Sequence, residues 1–141
     1  MESLESGNWR YEQVNGVDVP AVGVSITGPT GRFPEKDELP VRIDTGYDGF
    51  ILISESLYKR LRLMLSEMPR ELWATGKSAT GELFALRRAS LMVQVPKAKL
   101  SLDGYGETFK GNDENLLGLR FLEALRITLD GPKKITRLPL S

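Results

Sequence analysis

Val41-Arg42-Ile43-Asp44-Thr45-Gly46-Tyr47-Asp48-Gly49-Phe50 is the stretch on which the reading of this chain turns. Val41 and Ile43 are β-branched and start a strand, and Asp44 stops it at once. Asp and Gly are the residues that turns prefer, because an Asp carboxylate bonds backbone two residues on and Gly accepts positive φ. A plain turn therefore accounts for the stretch locally. A second reading is a carboxylate presented at a strand end for acid–base chemistry. A third is a calcium loop at Asp44–Glu55. In it Asp44, Asp48, Gly49, Ile51 and Glu55 take the first, fifth, sixth, eighth and twelfth positions of the helix–loop–helix pattern. Against the calcium loop, Gly46 puts no side-chain oxygen at the third position, and residues 38–43 read as strand with Pro40 near its start.

Composition narrows the chemistry. With 141 residues, 40% of them apolar, the chain can bury one core without staples, so residues 1–141 are expected to form a single domain. It contains neither Cys nor His, which excludes thiol and imidazole nucleophiles, His general bases and the usual Cys/His zinc sites. Nineteen Lys and Arg balance nineteen Asp and Glu, so no net charge draws it to nucleic acid or to an anionic membrane. Lys133, Lys134 and Arg137 read as a solvated face. Residues 1–13 carry acids and no signal-like apolar core, and no run of about 18 apolar residues occurs. The expectation is a soluble cytoplasmic protein without metal or cofactor.

Recurrent short apolar runs between the 14 glycines and eight prolines predict a β-rich chain. Asn15-Gly16 predicts a hairpin between strands at 11–14 and 17–26. A polar loop is expected at 27–38, then strands at 39–43 and 50–53. Leu57, Leu61, Met64, Leu65 and Met68 recur at helical spacing and predict one helix over 54–68, with Ser54 or Ser56 as cap and Pro69 as stop. Strands follow from 72 to 95, interrupted by the small polar tip Gly76, Lys77, Ser78, Ala79, Thr80 and Gly81, and closed by Pro96. A hairpin around 103–106, the triplet Leu116-Leu117-Gly118, a short helix at 119–125, a strand at 126–130 and a Gly131-Pro132 turn into a tail complete the reading.

In that order, Asp44-Thr45-Gly46, a Gly-bounded hairpin and Leu116-Leu117-Gly118 running into a helix, the chain resembles the single-domain, retropepsin-like aspartic proteases over about residues 10–130. The resemblance implies an all-β fold with short helices, a single-lobe closed barrel working as a homodimer. It also implies an aspartic endopeptidase acting on peptide substrates. It implies Asp44 as half of a catalytic pair, Thr45 and Gly46 as support of its turn, and Tyr47, Asp48 and Gly49 as substrate contacts. Residues 76–81 become a flap closing over bound peptide, and Leu116, Leu117 and Gly118 pack beneath the turn. Asp-Thr-Gly occurs once, so a pair of aspartates requires two chains. The sequence departs from the family's commoner pattern at Tyr47, where a small residue is usual. It departs again at Leu119, where many members carry an arginine that braces an acid near the turn; here Arg120 comes one later. A protease fold without catalysis, used to bind peptides or assemble partners, is the other function compatible with these motifs.

Overall fold

The computed structural model describes residues 7–139. In chain order the strands are β1 Asn8–Arg10, β2 Glu12–Val14, β3 Val17–Val19, β4 Ala21–Gly28, β5 Gly31–Phe33, β6 Leu39–Ile43 and β7 Ile51–Leu52. Helix α1, Glu55–Arg60, precedes β8 Ala74–Lys77, β9 Leu83–Val95, β10 Leu100–Thr108 and β11 Leu116–Leu117. Helix α2, Leu119–Leu122, leads to β12 Thr128–Asp130 and β13 Ile135–Arg137. Strands run β4-β6-β11-β7-β10-β9, and β9 returns to pair with β4, closing a six-stranded barrel. Within it β6 and β11 are parallel, as are β7 and β10.

Alternation fills the barrel. Ala89, Leu91, Val93 and Val95 of β9 point inward and meet Val22, Val24 and Ile26 of β4, Ile51, Ile53, Leu117 and Phe121, all buried. Burial of each such large side chain is worth about 1.5–3 kcal/mol, so this interior dominates the stability. Outside the barrel, β8 and the upper half of β9 form a protruding hairpin, with Ala74 opposite Leu86 and Lys77 opposite Leu83. A separate sheet gathers the first and last of the described strands, with β13 between β1 and β12.

The first hairpin forms as its Asn-Gly turn requires: Asn15 and Gly16 sit at φ 50° and 79°, with Val14 opposite Val17. Strand β6 keeps its expected bounds. The strand expected at 17–26 is split at Pro20 into β3 and β4, the helix expected at 119–125 ends at Leu122, and the strand expected at 126–130 starts at Thr128. Four larger expectations change.

Residues 27–38 are not all loop, because β4 extends to Gly28 and β5 pairs with it, Ile26 opposite Phe33. The helix expected over 54–68 stops early. Ser54 Oγ accepts from Leu57 N at 3.2 Å and caps α1, but Arg62 turns left-handed at φ 53° and a short 3-10 turn, Leu63–Ser66, follows. That reversal shifts the apolar phase, so Leu57, Leu61 and Leu63 are buried while Leu65 is 66% exposed. Residues 103–106 lie in the unbroken β10. Its glycines serve close approach instead of a turn: a Cβ at Gly104 would enter the Phe50 ring. The turn lies earlier, at Pro96–Ala98 with Lys99 at φ 53°. Finally, the expected tail contains β13, and in the basic cluster Lys134 pairs with Asp18 and Arg137 with Asp130. The readings that fell on residues 1–6 and 140–141 lie outside the described residues.

Among the described residues no helix is long and apolar enough to cross a membrane.

Candidate active site

Asp44 follows directly on β6, whose parallel pairing with β11 sets Ile43 opposite Leu117. That register fixes the turn. Asp44 N donates to the Leu117 carbonyl at 3.0 Å, and Gly118 N to the Phe50 carbonyl at 3.0 Å. Leu119 N donates to the Tyr47 carbonyl at 2.9 Å and Arg120 N to the Gly49 carbonyl at 3.1 Å. Leu117, Gly118 and the first residues of α2 thus hold both limbs of the turn through backbone alone. Leu116 and Leu117 are buried beneath it. Gly118 has a steric reason to be glycine: a Cβ there would run into the Gly49 carbonyl and the Tyr47 ring.

The Asp44 carboxylate is locally positioned. Its Oδ1 accepts from Gly46 N at 2.8 Å, and its own carbonyl accepts from Tyr47 N at 3.2 Å. Asp44 borders a groove of about 710 Å³. From the turn, Gly46, Tyr47, Asp48 and Gly49 line it together with Asp44; from the hairpin, Ala74, Thr75, Gly76 and Lys77 do. Leu52, Phe84, Leu86 and Phe109 supply apolar wall, and Arg88, Tyr105, Glu107 and Arg120 supply polar wall.

Of the residues singled out in the sequence, Asp44, Gly46, Tyr47, Asp48, Gly49, Gly76 and Lys77 meet in this groove. Thr45 is exposed and does not line it. Ser78, Ala79, Thr80 and Gly81 sit at the tip, outside it, in a turn closed on itself. There Gly81 N donates to the Ser78 carbonyl at 2.9 Å and Glu82 N to Ser78 Oγ at 3.0 Å. The hairpin is seated by an aromatic contact. The Phe84 ring lies against Gly76, its cross-strand partner, and its centroid is 4.9 Å from that of Phe109.

Tyr47 does not leave its hydroxyl for a ligand. It donates to Glu107 Oε1 at 2.5 Å, and Glu107, 1% exposed, takes Arg88 Nε and Nη2 on its other oxygen at 3.2 and 2.9 Å. Arg88 in turn covers the Tyr105 ring, 4.2 Å from the centroid. Burial pushes the Tyr47 hydroxyl far above the usual phenol range, and the Glu107 charge and hydrogen bond push the same way while Arg88 opposes them. Burial also raises Tyr105, again with Arg88 in opposition. Sequence reasoning missed Arg88, Tyr105 and Glu107. No local pattern marks them, since Glu107 meets Tyr47 across 60 residues.

Arg120 does not brace Asp48; its guanidinium turns to Glu123 at 3.4 Å. A calcium loop at Asp44–Glu55 also loses its frame, because the segment entering Asp44 is strand β6 where that motif needs a helix. Among the described residues no group of three or more acidic side chains is placed to hold a metal.

A closed six-stranded barrel, a short helix after an apolar-apolar-Gly strand, and an Asp-Thr-Gly turn beside a hairpin-covered groove define the retropepsin-like fold. Solved structures agree on that fold. A retropepsin-like aspartic protease from Rickettsia conorii superposes with a TM-score of 0.55 at 14% identity, over 94% of this chain and 90% of that one. The protease of EIAV, solved with the inhibitor HBY-793, gives 0.51 at 16% identity over 80% and 93%. The retroviral protease-like domain of Ddi1 from Leishmania major gives 0.51 at 14% over 88% and 96%. In sequence, the chain belongs to the family of an uncharacterized protein from Archaeoglobus fulgidus, with 34% identity over 120 residues, 83% of this chain and 89% of that protein. No family model matches the chain.

Proposed function

We propose that the protein is an aspartic endopeptidase in which two copies of Asp44, one from each protomer of a homodimer, hydrolyse a peptide held between the 44–49 turn and the arms of the hairpin. The observation that carries this reading is the Asp44 carboxylate itself, anchored by Gly46 N at 2.8 Å and bordering the groove in a retropepsin-like fold. Because the chain has one Asp-Thr-Gly, the second carboxylate comes from a second copy.

Two aspartates at close range cannot both ionise, so one keeps its proton. The ionised carboxylate takes a proton from water as the water oxygen attacks the peptide carbonyl carbon, and the protonated one gives its proton to the carbonyl oxygen. The tetrahedral diol then collapses: a proton passes to the amide nitrogen, the C–N bond breaks, and an acid and an amine leave. Leu52, Phe84, Leu86 and Phe109 make the groove suited to an extended peptide with apolar side chains near the scissile bond.

Peptide-library cleavage from acidic to neutral pH, with Asp44→Asn as control, tests the reading. The expected result is hydrolysis by the wild type and loss of at least about a thousandfold in the variant, since the dyad loses the group that activates water. Equal inertness of both at dimer-forming concentration assigns the groove to peptide binding without catalysis. A chain that sediments only as monomer at high concentration excludes the shared pair.

A further inference from the structure

We propose that Tyr47, Glu107 and Arg88 form a positioning brace that fixes the Asp44 turn and ties it to the strand carrying the flap, resting on the peptidase reading above for its catalytic consequence. The brace starts where the backbone bonds end. Those bonds hold the turn to the 117–120 segment on one side only, at Asp44, Tyr47, Gly49 and Phe50. The Tyr47 side chain supplies the other direction. Its ring lies against Gly118, and its hydroxyl lies so close to Gly49 that a Cβ there would collide with both it and Glu107 Oε1. Glycine at 49 and 118 is thus a condition for the phenol to reach the carboxylate.

From Glu107 the connection is rigid. Glu107 on β10 and Arg88 on β9 are direct cross-strand partners, so their charge-assisted bonds follow the sheet register. Arg88 also rests on Tyr105, two residues before Glu107 on the same face of β10. On β9 itself, Arg88 sits two residues below Leu86, where pairing with β8 begins. Just there the outer edge is clamped as well: Met68 N donates to the Arg88 carbonyl at 2.8 Å. The flap arm therefore springs from a strand whose base is bonded, through one carboxylate, to the residue three positions after Asp44. A buried carboxylate with both oxygens occupied has few alternative arrangements, because leaving either partner unmet is costly. Movement of the turn and of the flap base are accordingly linked. Tyr47 acts through Asp44 and does not touch substrate with its hydroxyl.

The test removes one atom and reads two places. Tyr47→Phe keeps the ring and deletes the bond to Glu107; Tyr58→Phe makes the same deletion at a second tyrosine, which donates to Glu67 on the far face of β9 at 2.8 Å. In peptide hydrolysis, Y47F is expected to lower kcat about tenfold with KM little changed, the signature of a misplaced catalytic group, while Y58F leaves kcat as in wild type. In amide hydrogen exchange under native conditions, Y47F is expected to lower protection at Gly46 N, which reports the bond to Asp44 Oδ1, together with the flap arms at Ala74–Lys77. Y58F leaves Gly46 unchanged. Unaltered kcat and unaltered Gly46 protection in Y47F overturn the brace, as does a uniform loss of protection over the whole barrel, which is a stability effect only. If the wild type cleaves nothing, the peptidase reading fails, and paired loss of protection at the turn and flap still decides the brace.

Discussion

Arg87 and Arg88 are neighbours on β9 and face opposite ways, and each completes a Tyr–Glu–Arg cluster. On one face Tyr58 and Arg87 Nε both bond Glu67 Oε2, at 2.8 and 2.7 Å. On the other, Tyr47 and Arg88 share Glu107. The donors are alike, but at Glu67 both fall on one oxygen and at Glu107 each takes its own, and the surroundings differ as well. Glu67 keeps 19% of its side-chain surface in solvent and Glu107 only 2%. The Glu67 cluster pins α1 and the 3-10 turn to the outside of the barrel; the Glu107 cluster lines the groove that Asp44 borders. The same three residue types are a fastening in one place and an alignment device in the other, and burial together with the use of both carboxylate oxygens makes the difference.

Breaking the carboxylate of each cluster gives the largest contrast. Glu107→Ala removes a carboxylate that is only 2% exposed and leaves both Arg88 and the Tyr47 hydroxyl without it, and is expected to cost about 3 kcal/mol in urea unfolding. Glu67→Ala, with water able to replace the lost partner, is expected to cost about 1–2 kcal/mol. If the two losses are equal, burial is not what separates the clusters. Gly118→Ala, which displaces the Tyr47 ring while deleting no polar atom, is expected to cost about 1–3 kcal/mol and to reproduce the Y47F loss of turnover.

Alkali sharpens the comparison further. Burial, first, and the paired glutamate hold both Tyr47 and Tyr58 above the usual phenol range, the Tyr47 shift being the larger. Both keep their protons when folded, whereas the unfolded chain loses them above about pH 10. Stability is therefore complete below that pH and falls as pH rises beyond it. Y47F and Y58F should each remove one tyrosine's share of this slope in chemical unfolding just above about pH 10. The smallest effect lies outside both clusters. Asp130 is held below the usual carboxylate range, chiefly by the Lys133 backbone N–H and also by Arg137. Its contribution is present above about pH 4 and is lost as pH falls through its folded value. Asp130→Asn should flatten this acid dependence at the terminal sheet, followed by amide exchange, and leave the groove untouched.

Much of the architecture was legible in sequence because its signals are local. Asn15-Gly16 dictates a turn through its own backbone, Val41 and Ile43 with a following Asp mark the end of β6, and Leu91, Val93 and Val95 alternate as a strand must. The glycines of β10 misled, since Gly104 is required by the Phe50 ring and not by a turn, and ring contacts leave no mark in spacing. The helical stripe misled past Leu61 because one left-handed residue, Arg62, changed the phase. In the candidate site, the turn and two hairpin residues, Gly76 and Lys77, could be named beforehand, while the other tip residues named with them, 78–81, lie outside the groove. Glu107 and Arg88 could not: a charged residue in a strand ordinarily points to solvent, and only the barrel's closure buries this one against Tyr47.

Placing β13 between β1 and β12 has a practical corollary. Asn8 is opposite Arg137, and Leu138 N donates to the Gly7 carbonyl at 2.7 Å, so the described ends lie side by side in the terminal sheet. A short Gly/Ser bridge could join them and the chain could be reopened at Ala79, creating a circular permutant whose two flap arms are free ends. Such a molecule keeps every barrel pairing and severs only the tip, separating what the hairpin contributes to the groove from what β9 contributes as part of the wall.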